Sequence, residues 1–240
     1  MLINGHGVSG SGSVPESWNG RAWRTWWRQT KRCYGNGSPC GLYDVSCGAP
    51  HDCVAVGTNW MSTSDQEPTG VRWHRGQWVR MPELPFIWGH SSVLNQVSCA
   101  GTFCMTTGTA QVDCGGGPPP PCGTLAAAAT WNGSIGSWTD VSPKFAFTCS
   151  SATCAWTRAI FCGDSANCMT ITHQNGNLAW NGTSWNAAPF ARAGRGEALV
   201  GLSCHKAFCM AVGHQVVRRR YMTLAEYWNG TAWKILATPR

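Results

Sequence analysis

Short apolar runs alternate with turn residues along the whole chain in two recurring patterns. In the first pattern, two Cys stand a few residues apart and an apolar run follows, as at 54–56 and 210–212. In the second, two Trp flank a turn that often contains Asn-Gly, as at 228–233. Short apolar runs bounded by Gly, Asn and Pro predict β-strands. Each pattern therefore predicts a hairpin, and Asn-Gly predicts a type I′ turn, in which both central residues have positive φ.

Together the two hairpins form a unit of four antiparallel strands, which recurs along the chain. The first Trp of successive pairs stands 55, 58, 49 and 48 residues apart, which is the size of a propeller blade. We therefore predict an all-β fold, a small β-propeller of about five four-stranded blades in a single repeat domain, 1–240. The first blade is predicted to be incomplete, and an open, twisted stack of sheets is the alternative to a ring. The approximate blades are 1–28 (partial), 41–85, 94–143, 160–189 and 198–240.

The fourteen Cys form seven close pairs with none left over. Structural zinc sites typically use a tighter knuckle of two Cys with a second ligand pair at a set distance, and no Cys-x-x-Cys occurs here. A disulfide instead needs the chain between its two Cys to reverse, so each pair predicts a staple across a hairpin and an oxidising compartment. The predicted disulfides are Cys33–Cys40, Cys47–Cys53, Cys99–Cys104, Cys114–Cys122, Cys149–Cys154, Cys162–Cys168 and Cys204–Cys209.

The last unit carries a family resemblance. Its segment 198–213, followed by the Trp-Asn-Gly-Thr-Ala-Trp segment 228–233, resembles a Cys/Trp repeat of secreted actinobacterial proteins that look like β-propellers and mostly lack an assigned function. The resemblance implies a propeller fold and secretion, and it implies no catalytic residues. The chain departs from the repeat in lacking a first Cys hairpin and in the extra pairs at Cys33, Cys114 and Cys149.

The composition of the chain bears on where the protein acts. Charged residues make up only 12% of the chain, the formal net charge is +7, and no apolar run reaches the length of a membrane span. The N-terminal residues have neither the basic nor the apolar stretch of a secretory signal. Since the Cys pairs predict an oxidising compartment, we expect an extracellular or cell-surface protein whose signal was truncated or processed.

The candidate binding residues are aromatic and basic. Ten of the fifteen Trp belong to the repeat and are expected to pack between sheets, which leaves five others for a recognition surface: Trp26, Trp27, Trp60, Trp88 and Trp156. Basic side chains suit an acidic polymer, and Arg218, Arg219 and Arg220 stand together. The expected partners are a glycan or an acidic cell-surface polymer, or a second copy or another extracellular protein. Nucleic acid fits less well with an oxidising compartment.

No enzyme signature is present. The sequence shows no Gly-x-Ser-x-Gly elbow, P-loop or His-Glu-x-x-His motif, and the seven His lack metal-ligand spacing. We therefore predict no catalysis, no metal and no cofactor. The leading hypothesis is a secreted binding module for carbohydrate or a cell-wall polymer. The alternative is an extracellular assembly subunit, and a hydrolase is the third.

Overall fold

The fold is described from a computed structural model of the chain. The structure describes residues 2–4, 14–18, 21–25, 40–60, 66–74, 76–84, 92–111, 124–134, 136–143, 157–172, 177–188, 191, 198–205 and 208–238. Within these ranges the regular secondary structure is β only. None of the described residues belongs to a helix long and apolar enough to cross a membrane.

The strands form one three-stranded and four four-stranded antiparallel sheets, each built from consecutive strands. The first sheet contains β1 (Leu2–Asn4), β2 (Val14–Trp18) and β3 (Trp23–Thr25). The second contains β4 (Cys40–Ala49), β5 (Asp52–Trp60), β6 (Gln66–His74) and β7 (Gln77–Arg80). The third contains β8 (Ser92–Ala100), β9 (Phe103–Gln111), β10 (Thr124–Asn132) and β11 (Ser137–Asp140).

The last two sheets repeat the same up-and-down order. The fourth contains β12 (Thr157–Asp164), β13 (Asn167–Thr172), β14 (Leu178–Trp180) and β15 (Trp185–Ala187). The fifth contains β16 (Ala198–His205), β17 (Phe208–Val217), β18 (Arg220–Trp228) and β19 (Trp233–Leu236). The first strands of successive sheets are neighbours, β4 beside β8, β8 beside β12 and β12 beside β16. This propeller-like array of blades confirms the predicted fold class.

The first sheet corresponds to the second, third and fourth strands of a full blade. Trp18 pairs with Trp23 across β2 and β3, as Trp228 pairs with Trp233 across β18 and β19. Glu16 pairs with Leu2 of β1, the register of the Glu226 pair with Ala211 in the last sheet.

A local disulfide links the two strands of each described Cys hairpin. In each of the four full blades the two Cys face each other across the first and second strands, and the Cα atoms of each pair are 3.9–4.0 Å apart. The bonds are Cys47–Cys53, Cys99–Cys104, Cys162–Cys168 and Cys204–Cys209. The other three predicted disulfides, Cys33–Cys40, Cys114–Cys122 and Cys149–Cys154, lie outside the described side chains.

The predicted type I′ geometry of the Asn-Gly turns is wrong in the described blades. Gly182 and Gly230 have positive φ, at 96° and 99°, but Asn181 and Asn229 do not. Four residues separate the last paired Trp on each side, so the turn is longer than a two-residue I′ turn. The side chain of Asn229 holds the turn instead, because its Oδ1 accepts hydrogen bonds from the Thr231 and Ala232 amides, both at 3.0 Å.

The core lies between the sheets rather than at one centre. Val54 and Val56 of the second sheet pack against Trp131 and Trp138 of the third. Met105 of the third sheet belongs to the same cluster as Trp180 and Trp185 of the fourth. Each full blade thus has two different faces, one carrying the disulfide and the Trp pair, and one carrying the apolar row of its second strand. Because the Trp face of each blade covers the apolar row of the blade before it, the array is built from one kind of junction.

Candidate binding surface

The outer face of the last sheet exposes a row of apolar side chains, which His214 interrupts between Val212 and Val216. Side chains alternate between the two faces of a strand, and on β17 the row on this face contains Phe208, Met210, Val212 and Val216, all exposed. Tyr221 of β18 pairs with Val216 and extends the row. We call these five residues the apolar face.

An aromatic ring contact lies at each end of the apolar face. The rings of Phe208 and Tyr227 are stacked with centroids 5.9 Å apart. His214 and Tyr221 meet edge to face at 5.1 Å. Tyr221 is 78% exposed, so most of its ring is available to a partner in spite of that contact.

Exposed apolar residues concentrate on this sheet. Among the described residues, ten large hydrophobic side chains are exposed, and all but Trp23 and Tyr43 lie on β16–β19. Scattered apolar residues are normal on a protein surface, whereas a contiguous patch marks an interaction site. The outer face of the last sheet is therefore the best-supported binding surface in the described part of the chain.

A basic hairpin tip adjoins the apolar face. Val217 pairs with Arg220 across β17 and β18, which leaves Arg218 and Arg219 as a two-residue turn. Both have positive φ, at 49° and 64°, as a type I′ turn requires. Asn and Gly are the usual residues there, and a bulky residue in the left-handed region costs about 1 kcal/mol or more. All three arginines are exposed, so this predicted basic site lies at the surface.

We expect the double substitution Arg218→Asn, Arg219→Gly to raise the free energy of unfolding by about 1–2 kcal/mol, because it relieves two unfavourable backbone conformations. Urea denaturation followed by Trp fluorescence measures the change. The matched control is Arg220→Asn, which removes a charge from a residue that lies in the strand. A loss of stability in the double variant would contradict the turn geometry.

The described side chains do not include those of the predicted Trp site. Trp26, Trp27, Trp88 and Trp156 lie outside the described residues, and of Trp60 only the backbone is described, as the last residue of β5. Trp60 ends β5 as Val217 ends β17, so both stand at the end of the blades where the second strand turns into the third. A Trp recognition surface stays a prediction.

Two clefts lie at the opposite end of the blades, near the Cys hairpins. One, of about 290 Å³, lies between the fourth and fifth sheets and is lined by Trp180, Asn181 and Trp228 among others. The other, of about 570 Å³, is lined by Cys162, Asp164 and His205 among others. Both volumes are in or near the range of small-ligand sites.

Two of the described carboxylates, those of Asp44 and Asp164, accept hydrogen bonds from neighbouring strands and turns. The amide of Ala166 and the side chain of Asn167 donate to Asp164 and hold the pKa of its carboxyl below the usual value. Burial raises the pKa of Asp44, although its carboxylate accepts hydrogen bonds from the Val45 and Val97 amides. Among the described residues no three His, Cys, Asp or Glu side chains cluster as metal ligands would.

Fold and surface together define a disulfide-stapled, all-β protein of repeated blades with an exposed apolar face on one sheet. No protein-family model matches the chain, and no curated protein matches it.

Three solved structures are similar over most of the chain. A YCF48 structure bound to a D1 peptide is 18% identical with a TM-score of 0.48, covering 82% of this chain and 55% of the other. YCF48 from Cyanidioschyzon merolae is 13% identical with a TM-score of 0.46, covering 85% and 58%. A Bombyx mori GH32 β-fructofuranosidase in complex with sucrose is 10% identical with a TM-score of 0.33, covering 83% and 36%.

The chain thus spans just over half the length of the two YCF48 structures. The identities and TM-scores are too low to transfer a ligand or an activity to this chain.

Proposed function

We propose that this chain is a non-catalytic extracellular assembly subunit that acts through protein–protein contacts. The observation that carries the proposal is the apolar face, a row of exposed Phe, Met, Val and Tyr side chains on one sheet. Large apolar and aromatic side chains are enriched at the centres of protein interfaces. The disulfides support an oxidising compartment and therefore secretion, in agreement with the resemblance to the secreted Cys/Trp-repeat proteins.

The absence of catalysis belongs to the same proposal. The described pKa shifts of Asp44 and Asp164 arise from burial and from hydrogen bonds that hold the backbone. A general acid or base needs to reach a substrate proton. Both oxygens of Asp44 already accept backbone amides, and those of Asp164 accept the Ala166 amide and the Asn167 side chain.

We expect Val212→Lys to abolish concentration-dependent self-association of the purified protein without unfolding it, since Val212 is 45% exposed at the middle of the apolar face. Sedimentation velocity over a hundredfold range of protein concentration measures the association. The matched control is Tyr43→Lys, which places the same charge at an exposed aromatic residue of β4, and it should associate like the wild type. Equal sedimentation of wild type and Val212→Lys at every concentration would contradict the proposal.

Recognition of an acidic polymer is the second candidate function, and the basic hairpin tip favours it. Strained backbone conformations concentrate at functional sites, and here they present two exposed arginines side by side. Heparin serves as a model sulfated polysaccharide, and neutral mannan as the control. Binding of heparin that weakens with salt, and that the Arg218→Asn, Arg219→Gly variant loses at least tenfold, would support this candidate. Unchanged heparin binding by the variant would contradict this candidate function.

A further inference from the structure

The three described junctions between full blades follow one rule. In each, the second strand of one sheet presents the residues one and three positions after its Cys, and the next sheet covers them. Val54 and Val56 are 1% and 0% exposed, and they pack with Trp131 and Trp138. Met169 and Ile171 are buried in the cluster that contains Trp233, with Trp228 packed against it. In the third sheet the corresponding residues are Met105 and the polar Thr107, both buried, and Met105 belongs to the cluster that contains Trp180 and Trp185. In each described junction the partner of this row is therefore the Trp face of the next blade.

The last sheet presents the same row, and no sheet of the described residues covers it. Met210 and Val212 stand one and three positions after Cys209, the register of Val54 and Val56 after Cys53. They are nevertheless 38% and 45% exposed. The apolar face therefore presents apolar side chains at the same positions of the strand as the rows that are buried between blades.

Two of the three described junctions also contain a hydrogen bond between a Ser hydroxyl and a backbone amide, and the corresponding Ser of the last sheet is exposed. Ser46 Oγ accepts a hydrogen bond from the Cys99 amide of the next sheet at 2.9 Å, and Ser98 Oγ accepts one from the Cys162 amide at 2.8 Å. Ser203 precedes Cys204 as Ser46 precedes Cys47, and its side chain is exposed. Ser203 thus offers the hydroxyl that the first strand of a following full blade would use. The first sheet, whose described strands correspond to the second, third and fourth of a blade, can cover only the apolar row.

The first sheet exposes the complementary face. The second Trp of each pair is 4–8% exposed in the four full blades, at Trp78, Trp138, Trp185 and Trp233. Its counterpart in the first sheet, Trp23, has the same cross-strand register with Trp18 but is 47% exposed. The Trp23 side chain is thus accessible, whereas the second Trp of each full blade is covered.

We propose that these two faces bind each other between molecules: the apolar face of one copy receives the Trp23 face of the first sheet of a second copy. The proposal rests on the proposed function, in that it names the partner of the same face. Such a contact is heterologous, or head to tail, because it joins two different surfaces of the same protein. Both faces present exposed side chains in the described structure, so each is available to a second copy.

Complementation between two variants tests this arrangement. Val212→Lys destroys the apolar face and keeps the Trp23 face, while Trp23→Ser does the reverse. Each variant alone should sediment as a monomer. Their equimolar mixture should form a one-to-one dimer and nothing larger, because one intact junction remains. Far-UV circular dichroism and thermal unfolding of each variant verify that both are folded.

The outcomes separate this inference from the proposed function. If Trp23→Ser alone still associates, or if the mixture stays monomeric although the wild type associates, the head-to-tail contact is wrong while assembly through the apolar face stands. If the wild type stays monomeric at every concentration, the inference fails. The proposed function fails with it in its self-assembly form.

Discussion

Val56→Lys is expected to destabilise the protein by about 4 kcal/mol or more, whereas Val212→Lys should change the free energy of unfolding by no more than about 0.5 kcal/mol. The two valines occupy the same position of the repeat, three residues after the second Cys of their blades. Val56 is fully buried against the next sheet, so a lysine there loses the packing and buries a charge. Val212 is exposed, and its lysine stays in water.

Urea denaturation followed by circular dichroism compares the two variants directly, at a protein concentration at which the wild type sediments as a monomer, because association would itself stabilise the wild type. Val56→Ala separates the loss of packing from the buried charge, and it should cost about 1–3 kcal/mol. If Val212→Lys is as destabilising as Val56→Lys, a blade of the same chain covers Val212 in solution, and the account of an accessible face is wrong.

Reduction of the disulfides should have the second large effect. Each described bond closes a loop of five or six residues, which contributes about 2 kcal/mol through the entropy of the unfolded chain. The four together are comparable to the whole stability of a typical domain, about 5–15 kcal/mol. We therefore expect a phosphine reductant to unfold the protein or to lower its urea midpoint severely.

Two controls sharpen this result. The double substitution Cys204→Ser, Cys209→Ser removes one staple and should lower stability by about 2 kcal/mol. A chelator without reductant should leave the urea midpoint unchanged, because the described Cys are bonded in pairs. An unchanged midpoint under full reduction would contradict the role of the staples.

The fold was predictable from the sequence because two local patterns repeat. The Cys pairs and the Trp pairs each mark opposite positions on two adjacent strands, as Cys204 and Cys209 or Trp228 and Trp233 show. Their order along the chain then gives the blade. Turn geometry was less predictable, because Asn-Gly fits both a two-residue I′ turn and the longer turn in which the Asn229 side chain accepts backbone amides.

The apolar face was not predictable from the sequence. Residues 54–56 and 210–212 have the same pattern and predict the same buried strand. Only the neighbouring sheet distinguishes them, since Val56 is covered and Val212 is exposed. The arginines of the hairpin tip were predicted as candidates from their charge, but the left-handed backbone at Arg218 and Arg219 was not, because neither residue favours it.

The most direct measurement is photo-crosslinking from position 212 in an equimolar mixture of ¹⁴N- and ¹⁵N-labelled protein, with a benzophenone amino acid in place of Val212. We expect crosslinked peptides that contain Trp23 and that join a ¹⁴N chain to a ¹⁵N chain. Crosslinks to Trp23 of the same chain alone would show that the two faces close within one molecule. Such a result, or crosslinks to any other sheet, would contradict head-to-tail assembly.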